Sequence, residues 1–394
     1  MGVLVAIPLF ITLLQFHSAY TLDKQSRYEF ACNFFYTITS YKPHDNLIIS
    51  PASAQTCLAM IYLGAEKQTA IEMRHVLALS PTASKEDIAH EYYEFLQATI
   101  RAPQSKLEMA NRIFVDQRLQ ILNSYQELIS TNFQSTVAQV QFANSQQTAA
   151  EINEWVNLET HGKIERVIDA SELWSASAIV LINAIYFKAQ WKYPFDPRYT
   201  IPRDFHLNSW TTVHVPMMYR TNVRMRYGEV YALDLLAAEL PYKDSNQRML
   251  IMLPNQLDYG VAQLERIFDV GSLQLVQRSL RDVTMDILIP KFKIEFDLSL
   301  VEPLRVMGLN LLFYDADLQS MVTNATRPLY VSEVKHKAYI SVDEKGSEAS
   351  GATYSQLLEK SGRFFEPNLK IDRPFVFAIL DDDAIYFAGH VVKP

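Results

Sequence analysis

The chain has 394 residues, 49% of them hydrophobic and 12% aromatic, which is enough apolar material for a substantial core in one large domain or two to three smaller ones. A formal net charge of −8 excludes a global drive toward nucleic acid or an anionic membrane surface. Two cysteines, Cys32 and Cys57, cannot frame a fold of this size; both sit in apolar helical patterns and read first as buried free thiols, with a bridge between their helices as the alternative.

From the N-terminus, Val3 to Phe16 is an apolar run of about 14 residues, followed by Ser18-Ala19-Tyr20. It is too short to span a bilayer and reads as a secretory signal over residues 1–19, cut within a few residues of Ala19. Arg27 to Ser40 has the pattern of an amphipathic helix. Asn46-Leu47-Ile48-Ile49-Ser50-Pro51 is a short strand running into a helix, with Ser50 suited to the N-cap and Pro51 to the first helical position. The helix that follows is apolar nearly all round up to Gly64, so it belongs in the middle of the protein. Thr69 with Glu72, and Thr148 with Glu151, read as capping boxes opening two further helices, the second ending near Gly162. Between them lie a helix over 86–100, an alternating strand with Leu107, Met109, Ile113 and Val115 on one face, and a strand over 136–142. Ala149, Ile152, Trp155 and Val156 share one side of their helix, which should lie on a sheet.

Ala178 to Phe187 is too uniformly apolar for a sheet edge and reads as a central strand. The second half is mostly β: 223–227, 237–242, 249–253, 283–296, 339–343, 375–380 and 385–391, with Asp381-Asp382-Asp383 turning the last hairpin. Asn324-Ala325-Thr326 is a glycosylation sequon. No repeat or linker divides the chain, so residues 20–394 read as a single α+β domain.

Ala338 to Pro374 changes character midway. A strand-like run gives way at Gly346 to Gly, Ser, Glu, Ala, Ser, Gly, Ala and Thr, then to a segment carrying Lys360 and Arg363, and then to the aromatic strand Phe375-Val376-Phe377. Enzymatic chemistry is not expected. There is no Gly-x-Ser-x-Gly elbow, and His90-Glu91-Tyr92-Tyr93-Glu94 falls one ligand short of a zinc-binding HExxH. No metal or cofactor is implied.

Several stretches together resemble the serpin family, the serine protease inhibitors. They are Asn46 to Ser53, Tyr62 to Ala65, Asn183 to Trp191, Pro194-Phe195, Asp204-Phe205, Val215 to Met218, His336-Lys337-Ala338, Val342 to Ala349, Pro374 to Phe377 and Phe387 to His390. The resemblance implies a serpin fold of three β-sheets and eight to nine helices, with an exposed reactive loop at about 344–373. It implies a suicide mechanism in which a protease cleaves the loop, and the loop then inserts as a strand while the acyl-enzyme is still attached. It also implies conformational roles for Ser50, Ser53, Asn183 and His336 under the sheet's opening (the shutter) and for Trp191 at the insertion point (the breach).

The hinge residues Glu344, Gly346, Ser347, Glu348, Ala349, Ser350, Gly351 and Ala352 suit insertion. One face would bury Ser347, Ala349, Gly351, Thr353 and Ser355, none of them charged or large; Glu348 falls on the other face, and no proline interrupts 346–366. Counting the family's spacing from Glu344 places the reactive bond at Lys360-Ser361. Counting back from Pro374 gives Arg363-Phe364. From Ser347 to Lys360 the chain spans about 46 Å at roughly 3.3 Å per residue, and three more residues would add about 10 Å of slack, which favours Lys360. Either bond suits a trypsin-like protease, held as a covalent complex with a secreted, extracellular and monomeric inhibitor. The alternative is a non-inhibitory carrier or storage serpin, which would more naturally have a charged, bulky or proline-containing hinge. The helical region from Glu86 to Arg101 lacks a dense basic cluster, so it offers little for glycosaminoglycan activation.

Overall fold

The computed structural model describes residues 10–100, 105–323, 329–347 and 368–394, with side chains over 24–99, 107–323, 329–347 and 368–394. Its organising helix is α2 (Pro51–Gly64), all of whose residues are buried. Ser50 caps it by accepting the Ser53 N–H, and Pro51 begins it, as expected from the sequence. Helix α1 (Phe10–Thr39) runs through the expected signal boundary and buries Phe30, Phe34, Phe35 and Ile38. The other helices are α3 (Lys67–Val76), α4 (Lys85–Ile100), α5 (Asn123–Phe133), α6 (Ser145–Glu159), α7 (Gly260–Arg266), α8 (Val270–Ser279) and α9 (Val301–Val306).

Three sheets occur among the described residues. The one that positions the site has six strands in the order β11 (Phe292–Ser299), β13 (Val331–Val342), β14 (Gly346–Ser347), β5 (Ile179–Gln190), β2 (Ser105–Asp116) and β4 (Val137–Val140). As its apolar run implied, β5 is central. One face of this sheet rests on α2; on the other, α6 covers it through Ile152, Val156 and Trp155 against Phe114, Val180 and Ile182. The second sheet has nine strands: β1 (Leu47–Ile49), β17 (Ile385–Val391), β16 (Phe375–Leu380), β9 (Arg248–Pro254), β8 (Leu235–Pro241), β7 (Thr211–Val230), β10 (Arg281–Pro290) and β15 (Leu369–Lys370), with β6 (Thr200–Asn208) also beside β7. The third is a two-stranded pairing of β3 (Gln120–Ile121) with β12 (Val322–Thr323).

Three local expectations are corrected. Thr69 and Glu72 do not box the start of α3. Thr69 Oγ1 accepts the Asp317 N–H at 3.0 Å and Glu72 Oε2 accepts the Asn310 and Leu311 N–H groups at 2.8 Å, so orphan donors of a distant segment win over the local cap. Thr148 lies inside α6, which starts three residues earlier, and its hydroxyl donates to Gln141 O at 2.9 Å. The run 283–296 is two strands in different sheets, broken at Lys291, whose backbone N–H turns aside to Pro216 O at 2.9 Å. Cys32 and Cys57 are free and buried, and burial pushes both thiols up to about 12, which suits inert hydrophobes.

Candidate functional site

The site is the seam between β5 and β13. These strands run parallel and pair from Val331 opposite Ile179 to Tyr339 opposite Tyr186. Beyond that point they are no longer partners, and β14 lies between them: Gly346 faces Gln190, and Ser347 faces Ala189 on one side and Val342 on the other. Both pairings of β14 are antiparallel. A tight turn makes the reversal, because Asp343 Oδ1 accepts the N–H of Lys345 at 2.8 Å and of Gly346 at 3.2 Å. Glycine is required at 346, since a Cβ there would stand 1.9 Å from Ala189 O. Two of the hinge residues, Gly346 and Ser347, are thus already inside the sheet.

Ser347 is fully buried, and its hydroxyl shares a 2.6 Å hydrogen bond with Tyr242 Oη. Tyr242 stacks on Trp191 with ring centroids 4.7 Å apart and planes 7° from parallel. The Trp191 indole N–H donates to Asp343 O and its backbone N–H to Lys345 O, both at 2.9 Å, so this residue clasps the turn from two directions. Glu344 is held by Lys291 Nζ at 2.8 Å. Burial raises its carboxyl, but the Lys291 hydrogen bond and backbone N–H contact outweigh it and leave the group below the ordinary range. Sequence reasoning placed Trp191 and Glu344 here but missed Tyr242 and Lys291.

At the other end of the seam, the register stacks Asn111, Asn183 and His336 in one row across β2, β5 and β13. One face carries all three toward α2, where Ser50 and Ser53 wait at its N-terminus. Asn183 Nδ2 donates to Asn111 Oδ1 and Ser53 Oγ, while Ser53 Oγ donates to Asn111 Oδ1. Asn183 Oδ1 meets His336 Nδ1. The Ser50 N–H, a donor only, reaches His336 Nε2 at 3.2 Å, so Nε2 must be the acceptor and Nδ1 must carry the proton. Ser50 Oγ donates in turn to Tyr386 O at 2.6 Å. His336 is completely buried, and desolvation pushes its pKa down to about 3. The network is closed, buried and neutral.

Ser50, Ser53, Asn183 and His336 therefore come together, and Trp191 lies apart, one residue past the end of β5 and roughly 26 Å beyond Asn183. Asn111 was missed. It had a signal: it is the one polar residue on the inward face otherwise formed by Leu107, Met109, Ile113 and Val115. Glu348, Ala349, Ser350, Gly351, Ala352, both reactive-bond candidates (Lys360-Ser361 and Arg363-Phe364) and Asn324 lie outside the described residues.

A family model described as serpin (serine protease inhibitor) matches residues 25–394. The chain belongs to the serpin family. Serine protease inhibitor 42Dd of Drosophila melanogaster is 36% identical over 353 residues, which covers 89% of this chain and 92% of that protein. The crystal structure of Serpin48, a highly specific serpin of the insect Tenebrio molitor, has a TM-score of 0.85 at 29% identity, covering 95% of this chain and 98% of that one. Human thyroxine-binding globulin, solved with its ligand, has a TM-score of 0.84 at 28% identity, covering 94% and 98%. Proteins similar to this chain thus include one named a serine protease inhibitor and one that binds thyroxine. The family it belongs to is described as one of serine protease inhibitors. Among the described residues no group of three His, Cys, Asp or Glu could hold a metal ion, and no helix is long and apolar enough to cross a membrane.

Proposed function

We propose that this chain is a secreted suicide inhibitor of trypsin-like serine proteases, with residues 1–19 as its signal, 20–394 as one domain and about 344–373 as its reactive loop. The protease acylates itself on the carbonyl of Lys360, releasing Ser361 as the new N-terminus; Arg363-Phe364 is the second candidate bond. The loop then follows Gly346 and Ser347 into the seam. Its pull deforms the triad before water can deacylate it.

The observation that carries this reading is β14 itself. Its two residues lie between β5 and β13, antiparallel to both, at the point where direct pairing of those strands stops. Further insertion exchanges one parallel ladder for two antiparallel ones, each residue adding backbone bonds worth about 0.5–1.5 kcal/mol. About a dozen residues would contribute on the order of 10 kcal/mol before packing, so the uncleaved protein is kinetically trapped. The small residues that sequence places next in line meet no steric objection in a buried strand.

A carrier role is the second reading, and the likeness to thyroxine-binding globulin favours it. The small, proline-free hinge opposes it. Incubation with trypsin followed by denaturing electrophoresis decides between them. An SDS-stable complex is expected, with a released peptide beginning SGRFF for Lys360 or FFEPN for Arg363. Quantitative cleavage with no complex would overturn the inhibitory reading.

A further inference from the structure

At one end of the second sheet, two loops are tied together and each lifts an aromatic ring into solvent. β6 and β7 are joined by the turn Ser209-Trp210, with Asn208 paired to Thr211. The other loop, residues 255–259, links β9 to α7. Asp258 joins the two: its Oδ1 accepts the Ser209 N–H at 2.9 Å and its Oδ2 accepts the Ser209 hydroxyl. Trp210 N–H donates to Asn208 Oδ1 at 3.0 Å. Asp234, on the turn before β8, accepts from the side chains of Asn255 at 2.9 Å and Gln256 at 3.1 Å. Both loops are braced from beneath, yet Trp210 is 87% and Tyr259 89% exposed.

Local folding accounts for neither ring. A two-residue hairpin turn favours Gly, Asn or Asp, and Trp210 gains no burial there. Tyr259 has left-handed backbone, φ 62° and ψ 2°, immediately before Gly260, where a Cβ would stand 2.7 Å from Pro254 Cβ. That conformation suits Gly or Asn and is uncommon for a bulky residue, so a tyrosine here points to a role outside the fold. Neither loop, 208–211 or 255–259, contains a lysine or arginine. The Ser209 hydrogen bonds hold the Asp258 carboxyl below its ordinary range, so its negative charge persists. Arg373, which donates to Pro254 O at the foot of the second loop, is already paired with Asp372 at 3.2 Å. The patch is aromatic and acidic.

We propose that Trp210 and Tyr259 dock an arginine-bearing segment of a partner protein other than the protease. A guanidinium would stack on the Trp210 indole with Tyr259 beside it, and the carboxylate lone pairs that Ser209 leaves free on Asp258 would accept its N–H groups. Trp, Tyr and Arg carry much of the binding energy at protein interfaces, and rings braced from beneath lose little freedom on docking. A membrane surface fits less well, because Asp258 and Asp234 brace the loops and neither loop offers a lysine or arginine to lipid phosphates. The far end of the proposed reactive loop is remote. Leu369 of β15 pairs with Ile287 of β10, and Ile287 with Arg220 of β7. The Trp210 turn begins at Thr211, about nine residues or roughly 30 Å along that strand. A partner seated on the patch is clear of that end.

Panning random dodecapeptides displayed on phage against the full chain tests this, with counter-selection on Trp210→Ala/Tyr259→Ala. Enriched peptides are expected to carry arginine. Synthesised and followed by fluorescence anisotropy, they should bind the double variant at least about tenfold more weakly. Trp210→Leu, which keeps apolar bulk and removes the aromatic face, should weaken binding about fivefold, and native affinity in that variant overturns the stacking. Trp174→Ala, which removes a tryptophan 71% exposed elsewhere, should stay within about twofold, and an equal loss there overturns the site. Circular dichroism on every variant checks the fold. No enrichment, or enriched peptides without arginine, overturns the proposal. So does retention of the native chain, but not the double variant, on phosphatidylcholine vesicles. Trypsin should consume the reactive loop of the double variant at the native rate; a slower rate overturns a separate partner and gives the patch to the protease. That rate is measurable whether the loop traps trypsin or is simply cut, so failure here and failure of the inhibitory reading are distinguishable.

Discussion

The two ends of the β5–β13 seam are closed in different ways. At the shutter, four side chains from β2, β5, β13 and α2 and the backbone N–H of Ser50 complete one another's hydrogen bonds in a buried row. At the breach, the strands have parted, and two backbone residues of the hinge fill the gap under a Trp–Tyr clasp. The shutter is a lock whose parts have no spare valence. On the proposed function the breach is the entrance, occupied by the two residues that would lead the loop in. A polar network of this kind costs little while complete and much when one member is lost, whereas the hinge can be lengthened one residue at a time.

If that contrast is right, the largest effect comes from blocking the entrance. Ser347→Arg places a guanidinium where the native hydroxyl is fully buried against Tyr242. An unpaired charge in that slot costs several kcal/mol, so the hinge should stay outside the sheet. The expected result with trypsin is at least a hundredfold loss of complex, with clean cleavage in its place on a denaturing gel. Normal complex formation by this variant would remove β14 from the mechanism.

The next effect comes from breaking the lock. Asn183→Ala leaves Asn111, Ser53 and His336 each short of a partner, at a cost of about 3 kcal/mol from buried unsatisfied groups. Calorimetry should show the melting temperature several degrees lower, with dimers or longer chains accumulating on gentle heating as the seam opens. A native melting temperature would mean that the row is decoration. Glu344→Lys should do less, because its partner Lys291 is 38% exposed and solvent already screens the pair. Facing two ammonium groups at the turn should cost about 1–2 kcal/mol and loosen the hinge specifically. Faster proteolysis around residue 344, with little change in melting, is the signature to measure.

How much of this was legible beforehand follows the range of the forces involved. Strand β5 and helix α2 announce themselves because uniform apolarity can only mean the middle of the protein. Ser50 and Pro51 are legible because capping is local. The family resemblance brought in His336, Asn183 and Trp191, which no periodicity would single out. Asn111, Tyr242 and Lys291 stayed hidden for a different reason. Their partners lie 72, 105 and 53 residues away in sequence, and only strand register or a turn between sheets brings them into contact. Thr69 and Glu72 misled in the opposite direction: the cap motif was real, but distant N–H groups of the segment 310–317 claimed its oxygens.

The smallest effect tests the lock's chemistry rather than its existence. His336 accepts from the Ser50 N–H at Nε2 and is held down to about 3 by burial, against about 6.5 in an unfolded chain. Below pH 6.5 the unfolded state takes up a proton that the folded state refuses, so stability is whole above that value and falls as pH drops toward 3. Between pH 7.5 and 5.5 the loss from this one residue is about 1.4 kcal/mol. His336→Gln can keep the geometry, with its carbonyl accepting from Ser50 and its amide donating to Asn183, yet it cannot titrate. Denaturant unfolding of both proteins at the two pH values isolates the term, because the other histidines contribute equally and cancel. The native protein should lose about 1.4 kcal/mol more than the variant. Equal losses would mean that His336 is charged or solvated in the folded state, and that the shutter is not a closed, neutral network.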